Sequence, residues 1–463
     1  MTVTAPLHFA GYNLPKDRPN DAAFQSVQPG TPGGEYLRRF WHPFLLSEQL
    51  DHRPKVVRVL SEDLVVYRDL SGGLGLVHKH CAHRGASLEF GIVAEKGIRC
   101  CYHGWLFSND GALLETPGEP PDSPLRKRVC QGAYPVIEID GVIFAYLGPP
   151  DRRPPFPTMD AMVMPGNRMK PYLIASPCNW IQVAENSMDP FHVAFLHTRI
   201  SGPQFSEVFG TLPLIDYHET PNGFFYTNAR RVGDYIWVRS HDYLLPNFSQ
   251  NGAIFENVER VRYFGRPGLT RWVTPVDDTH TLVIAWRHFN DRDDPSGLGR
   301  PEDVGVGKTD FYGQSDAAPY EQRQDSPGDW EAWVSQGPMT SHAREHLATT
   351  DKGVALLRRK LRRAIDALAN GVEPLQAKPE ATGAVATMAG DTILRIPLDP
   401  KQDDREVILH VCRAVAAALM ETRHLPDGER RAAMQDRLSG LNTADASEIN
   451  PDHGKIFEFK TLG

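Results

Sequence analysis

Cysteine is scarce in this chain: six thiols among 463 residues are too few for a disulfide framework. Long apolar runs are missing as well. No stretch approaches the ~18 residues that cross a bilayer. The opening MTVTAPLHFAGYNLPKDRP has no basic segment followed by an apolar one, so no signal peptide is expected. Lysine and arginine form no block resembling a nucleic-acid footprint, and the formal charge of −8 points the same way. Phosphate-binding loops are absent. Gly307-Lys308-Thr309 ends like one, but Glu302 stands where the motif needs glycine. Gly73-x-Gly75 is followed by His78 where a dinucleotide fingerprint needs glycine. No internal repeat is present. These absences exclude secreted disulfide scaffolds, membrane spans, nucleic-acid binders and nicotinamide or flavin sites, and the expected compartment is the cytoplasm.

What is present is an ordinary globular composition, 41% hydrophobic and 23% charged, in a length that suits two or three domains. Residues 1–35 are rich in Pro, Gly and Asn and read as an extended arm, so the first boundary is set at 1–40. Short β runs follow at 56–60, 64–70 and 73–78, and VIEIDGVIFAYLG (136–148) reads as a hairpin turned at Asp140-Gly141. The expectation for 41–155 is a small antiparallel β domain. PPDRRPPFP (149–157) suits neither helix nor strand interior and marks the linker. The remainder, 156–463, mixes both periods. Strands are expected at 172–176, 223–232, 235–241, 256–264, 270–275 and 281–289, and helices over 342–369 and about 404–422.

Three of the six cysteines fall within 81–101, beside histidines. HKHCAHRGASLEFGIVAEKGIRCCYHGWLF supplies C-x-H, then 16 residues, then C-x-x-H. Two thiolates and two imidazoles suit zinc or a [2Fe–2S] cluster. Zinc fingers usually pair Cys with Cys and His with His. Here each pair is mixed, as when two cysteines hold one iron and two histidines the other. The stretch resembles the Rieske [2Fe–2S] domain. That resemblance implies Cys81, His83, Cys100 and His103 as cluster ligands, with Cys101 a bystander, His78 and His80 out of phase, and Arg84 and Trp105 placed to tune the cluster.

About 300 further residues follow, containing NWIQVAENSMDPFHVAFLH (179–197). Two histidines five apart are weak evidence alone, and Asp189-Pro190 reads equally as a helix N-cap with proline after it. Together with the first motif, the segment resembles the mononuclear iron motif of Rieske non-haem iron ring-hydroxylating oxygenases. The resemblance implies His192 and His197 as two ligands of a 2-His-1-carboxylate triad, which leaves iron positions open. It also implies that Asp189 links His103 of one subunit to His192 of the next, with Glu185 and Asn186 as flanking groups. The third ligand is sought among Asp310, Asp325, Asp329 and Glu331. DWEAWVSQGPMTSHAREHLATTDKGVALLRRKL (329–361) resembles the phthalate-dioxygenase-like branch, which includes biaryl O-demethylases. There, a Trp-x-Ser-x-Gly run follows the ligand aspartate. Trp333 sets the phase to Asp329, with Asp325 next, although Val334 replaces the branch's usual Glu.

The resemblance implies an α+β chain: a Rieske antiparallel β domain followed by a helix-grip (START-like) catalytic domain with an antiparallel sheet. It implies the terminal oxygenase α subunit of a multicomponent system, with a [2Fe–2S] cluster and mononuclear Fe(II). Electrons would come from NAD(P)H through a reductase, with or without a ferredoxin. The implied reaction is ring hydroxylation or oxidative O-demethylation of an aromatic carboxylate or phenol, in a head-to-tail homotrimer. The rivals are an electron-transfer or redox-sensing Rieske protein, and a monooxygenase of a non-aromatic ring or an N-methyl group. Loops 198–215 and 240–255 are the expected pocket lining, and the basic run 358–363 is expected to be a solvated helix face or a subunit contact.

Overall fold

A computed structural model describes residues 22–200, 205–290, 299–305, 318–342, 345–380 and 382–442. Strand Trp41–Leu46 pairs with Val142–Tyr146, which pairs with Val136–Ile139. Asp140 and Gly141 turn that hairpin, both at positive φ (43° and 78°), the geometry a two-residue hairpin turn demands. A second three-stranded sheet joins Lys55–Val59, Glu62–Arg68 and Leu74–His78. A small four-stranded sheet spans Ile92–Glu115.

The larger half is one nine-stranded antiparallel sheet. Its path runs Arg168–Ser176, His280–Phe289, Leu269–Asp277, Phe248–Asn251, Tyr235–Leu244, Gly223–Val232 and Leu214–Thr220, with Gly390–Arg395 joining Tyr235–Leu244 to Arg262–Gly265. Side chains alternate across a strand, and both faces here are buried. Phe224 and Tyr226 share a core with Leu357, Leu361 and Ile365 of the helix Lys352–Ala369. Phe225 and Ala229 pack instead with Val411, Val415 and Leu419 of the helix Asp404–Thr422. The first sheet has no core of its own. Trp41, Val142 and Phe144 cluster with Trp272, Ile284 and Trp286 of the large sheet.

Several expectations need correction. The stretch read as an extended arm forms short helices at Ala22–Gln25 and Pro32–Leu37. Thr31 caps the second through the Gly34 amide and proline opens it, which suits proline's fixed φ. The strand expected over 256–264 shrinks to Arg262–Gly265, because the Glu256 carboxylate accepts the Val258 amide and Val258 takes a positive φ. The long helix begins at Lys352 rather than 342, since the Asp351 carboxylate caps the Ala348 amide at a short 3-10 turn. Residues 307–309, and Asp310 among the ligand candidates, lie outside the described residues.

Candidate functional site

Two loops of matching form carry the first constellation. The Cys81 amide donates to the Ala86 carbonyl and the Gly85 amide to that of Cys81, and the Cys100 amide donates to Trp105 and the Gly104 amide to Cys100. Gly85 and Gly104 close these loops at φ 75° and 73°, a left-handed conformation open to glycine without strain. Cys81 and Cys100 are buried with their thiols facing each other. The His83 and His103 rings lie 4.6 Å apart, and His83 stacks on Trp105 at 4.3 Å and 2°. The donors therefore form a sulfur pair and an imidazole pair. Among the described residues, three or more metal-binding side chains bring ligand atoms within 4.8 Å of one another at only two places, and neither includes these four. A single zinc ion needs all four donors around one centre, whereas a two-iron cluster takes each pair at its own iron. His83 Nδ1 is buried without a hydrogen-bond partner, as a waiting metal ligand would be. Cys101 is exposed. His80 hydrogen-bonds the Gly85 carbonyl, and His78 sits beside Tyr134 and Glu62, so neither joins the set. Arg84 lies over the Tyr102 ring.

The second constellation comes from three short elements. Asn179 caps the helix Trp180–Asn186 through the Ile181 amide. The chain then turns at Asp189, whose Oδ1 accepts the Phe191 amide. That hydrogen bond is the capping reading of Asp189, but the helix it opens, His192–Ala194, is one turn long and passes into a π-helix, Phe195–Ile200. Widened turns of this type are frequent at functional sites, and here one carries His197 inward, to 2% exposure. Asp329 opens the helix Asp329–Val334, with the Glu331 carboxylate capping the Gly328 amide. The Trp330 and Trp333 indoles donate to Ala175 and Ser176 and fix that helix on the sheet.

These elements bring His192, His197 and Asp329 together. Asp329 Oδ1 lies 3.2 Å from His197 Nε2 and 3.4 Å from His192 Nε2, and accepts a hydrogen bond from Asn186 Nδ2 at 3.0 Å. Burial works to raise the Asp329 carboxyl, but the charges of His197, His192 and Arg271 outweigh it and hold the group well below the usual carboxylate range. It is an anion that calls for a cation. Asp325 is exposed and Glu331 is occupied as a cap, so neither competes. On the outer side of His192, Asp189 Oδ2 is 3.6 Å from Nδ1. Asp189 is only half-buried and keeps one edge toward the surface.

Behind the triad, residues 358–360 of the basic run pair with carboxylates of the same chain. Arg358 pairs with Glu185 and Glu345, and Arg359 and Lys360 pair with Glu219. Burial pushes the Glu185 carboxyl up to about 7 even with Arg358 beside it. Arg358→Met would strand that carboxylate, a loss of about 3–5 kcal/mol when one partner of a buried pair is removed. The expected result is a large drop in the urea midpoint at pH 8. The deficit narrows as the pH falls, because Glu185 takes up a proton more readily once Arg358 is gone, and denaturation at pH 8 and pH 6 measures it.

One face of the large sheet walls the cavity beside the triad. Tyr226 pairs with His241, Ser249 with Arg271 and Asn251 with Leu269 across adjacent strands, and most of these side chains line the cavity together with Arg239, Phe205 and Phe209. Phe205 and Phe209 belong to the loop expected at 198–215, and His241 and Asn251 to the stretch at 240–255. Tyr226, Arg239 and Arg271 went unforeseen. The signal for Arg239 and Arg271 was a single arginine inside each of the strands Tyr235–Leu244 and Leu269–Asp277.

Residues 40–135 match the family profile of the Rieske [2Fe-2S] domain. The chain is 44% identical over 94% of its length, and 97% of the relative's, to the tert-butanol monooxygenase / tert-amyl alcohol desaturase oxygenase subunit of Aquincola tertiaricarbonis. It is 39% identical to the phenoxybenzoate dioxygenase subunit alpha of Ectopseudomonas oleovorans, over 76% of this chain and 87% of that one. The chain belongs to the Rieske non-haem iron oxygenases. The fold agrees: dicamba monooxygenase bound to dicamba superposes at a TM-score of 0.55, covering 73% of this chain and 99% of that one at 19% identity. As a Rieske oxygenase the chain is an oxidoreductase, the oxygenase component of a multicomponent system, with a [2Fe–2S] cluster and a mononuclear non-haem iron. No described helix is long and apolar enough to cross a membrane.

Proposed function

We propose that this chain is the terminal oxygenase of a cytoplasmic, multicomponent Rieske system that hydroxylates an aromatic carboxylate or phenolic substrate, with oxidative O-demethylation as the outcome when the carbon attacked is a methoxy methyl. The observation that carries the reading is the convergence of His192, His197 and Asp329 on one point beside a cavity, with a separate Cys/His set that suits two irons. It weighs against the reading as a pure electron-transfer or sensing protein, which needs no triad. Cys81 and Cys100 would hold one iron of the cluster and His83 and His103 the other, while His192, His197 and Asp329 would hold the mononuclear iron. When bound, the cluster supplies electrons singly and the iron activates O₂.

The chain's own groups do the rest. Asn186 steadies the Asp329 carboxylate, and Phe205, Phe209 and Tyr226 give the cavity apolar walls. Arg271 spends Nε on Ser249 and Nη2 on Ser187, and Arg239 donates to the carbonyls of Ala253 and Gly252. Among the described residues neither forms an ion pair with a carboxylate, although Arg271 lies in the field of Asp329, and two buried cations in one wall favour an anionic guest. Of the relatives' named compounds, phenoxybenzoate carries the anion such a wall would hold, whereas tert-butanol and tert-amyl alcohol are neutral.

Asp189 would hold the outer nitrogen of His192 and, with its exposed edge, meet His103 of the next subunit in a head-to-tail homotrimer. The donor would be a reductase, alone or through a ferredoxin. Asp189→Asn is therefore expected to keep both metal centres but slow reoxidation of the reduced cluster by substrate and O₂ about ten- to a hundredfold, since the charge that orients His192 is gone. Stopped-flow absorbance of the cluster measures this. The test of the whole reading is incubation with a surrogate reductase, NADH, ¹⁸O₂ and a panel of aromatic acids and phenols: labelled hydroxylated product supports it. Oxygen consumption without any labelled product across the panel counts against the substrate class.

A further inference from the structure

Two cavities meet at one side chain. The cavity beside the triad and a second one, lined by Phe255, Gly268, Arg287 and Phe289, have Ile254 in common. Ile254 is buried, at 6% exposure. A methyl group at Gly268 would stand 3.4 Å from Ile254 Cγ1, so the isoleucine side chain abuts the bare backbone there. Gly268 lines the outer cavity, and the next residue, Leu269, lines the inner one. The Phe205 and Phe255 rings, one from each cavity, meet edge to face with centroids 6.3 Å apart.

The backbone of this divide is pinned on both flanks. Arg239 donates to the carbonyls of Gly252 and Ala253 before Ile254, and the Ser206 hydroxyl donates to the Glu256 carbonyl after it. The size of the Ile254 side chain, rather than movement of its loop, then decides how far the inner cavity extends. What lies beyond favours carbon over a polar group. Arg266 is already paired with Asp160 and Asp427, and the His288 ring is within hydrogen-bond reach of Asn167 and Thr270. Phe255 and Phe289 supply ring surface, with the Arg287 guanidinium over both.

We infer that Ile254 is the specificity-determining residue that sets the length of the substrate. It ends the catalytic cavity, and a smaller side chain there admits an apolar extension of the aromatic acid into the outer cavity. This rests on the oxygenase reading with its aromatic-acid substrate and deepens it.

The test is calorimetric titration of iron-loaded enzyme, oxidised and without donor, with benzoate and with the ortho, meta and para isomers of propylbenzoate. Ile254→Ala takes from the divide as many carbons as a propyl group adds to the ligand. In that variant the affinity of at least one propyl isomer, relative to benzoate, is expected to rise about tenfold or more over the native ratio, as burial of the added methylenes implies. Ile254→Val should give a smaller rise for the same isomer, and Ile254→Phe, which thickens the divide, should give none. A purely structural role would weaken all the acids together and leave the ratio where it was. If the ratio stays within about twofold of native for every isomer in Ile254→Ala, or in Ile254→Val should the alanine variant not fold, the assignment of Ile254 is wrong and the oxygenase reading stands. If none of these acids binds native or variant enzyme that has its full iron content, the proposed substrate class falls and the assignment falls with it.

Discussion

Asp329→Ala enzyme is expected to contain about two irons and two acid-labile sulfides per chain in place of about three and two, with its Rieske-type EPR signal unchanged and its turnover lowered by at least about a thousandfold. The geometry gives the reason. Asp329 Oδ1 is the shared neighbour of both imidazoles, at 3.2 and 3.4 Å, and it supplies the anion that a divalent ion seeks. Two neutral histidines alone bind Fe(II) weakly, and removing the carboxylate also frees Asn186. Asp325→Ala is the matched control. Asp325 sits exposed on the preceding helix, so the iron content and turnover of that variant should equal those of the native enzyme. Metal and sulfide analysis of the two variants, purified without air, decides between the two aspartates. Equal iron loss in both would refute the assignment of Asp329.

Cys100→Ser and Cys101→Ser form the second pair. The two side chains are neighbours in sequence but opposite in environment: Cys100 is 3% exposed against Cys81, while Cys101 faces solvent. Burial pushes the Cys81 thiol up to about 11, so the pair depends on bound iron to hold it as thiolates. Cys100→Ser is expected to abolish the cluster, its visible absorbance and all donor-dependent turnover. Much of the folding stability of residues 81–105 should go with it, because the two loops would then meet through ring contacts, His83 on Trp105 and His103 and Arg84 over Tyr102, and the surrounding apolar cluster, with no cluster joining them. Cys101→Ser should retain cluster, spectrum and activity within about twofold, as is usual for exposed substitutions. Absorbance spectra and limited proteolysis read out both effects.

How far the sequence reached differs between the parts of the molecule. The Asp140-Gly141 hairpin was legible because only a few dipeptides tolerate two consecutive positive φ values. The cluster loops were legible because their four donors and closing glycines lie within 81–104, where spacing translates directly into geometry. Strands 223–232 and 404–422's helix were legible from period alone. The helix start at Lys352 was not, since the capping of Ala348 by Asp351 is a local competition that an apolar pattern spanning 342–369 conceals. Nor was the loop at 256–261, where Glu256 is engaged by Arg262 and by its own backbone.

By itself the sequence determined the spacing of the two candidate ligand motifs, the alternation of strands, and the family they resemble. These are short-range facts: ligands within a loop or a helical turn of one another carry their geometry in their spacing. Only the tertiary structure decided the rest. It brought Asp329 across more than a hundred positions to the two histidines, and set Asp325 outside. It paired Arg358 with the buried Glu185 and left Arg359 at the surface beside Glu219, and it aligned Tyr226, His241 and Arg271 from separate strands on one face. The reason is that sheet register and helix packing are fixed by burial summed over the whole core. The neighbours of a buried polar side chain are therefore set by chain segments that no local pattern names.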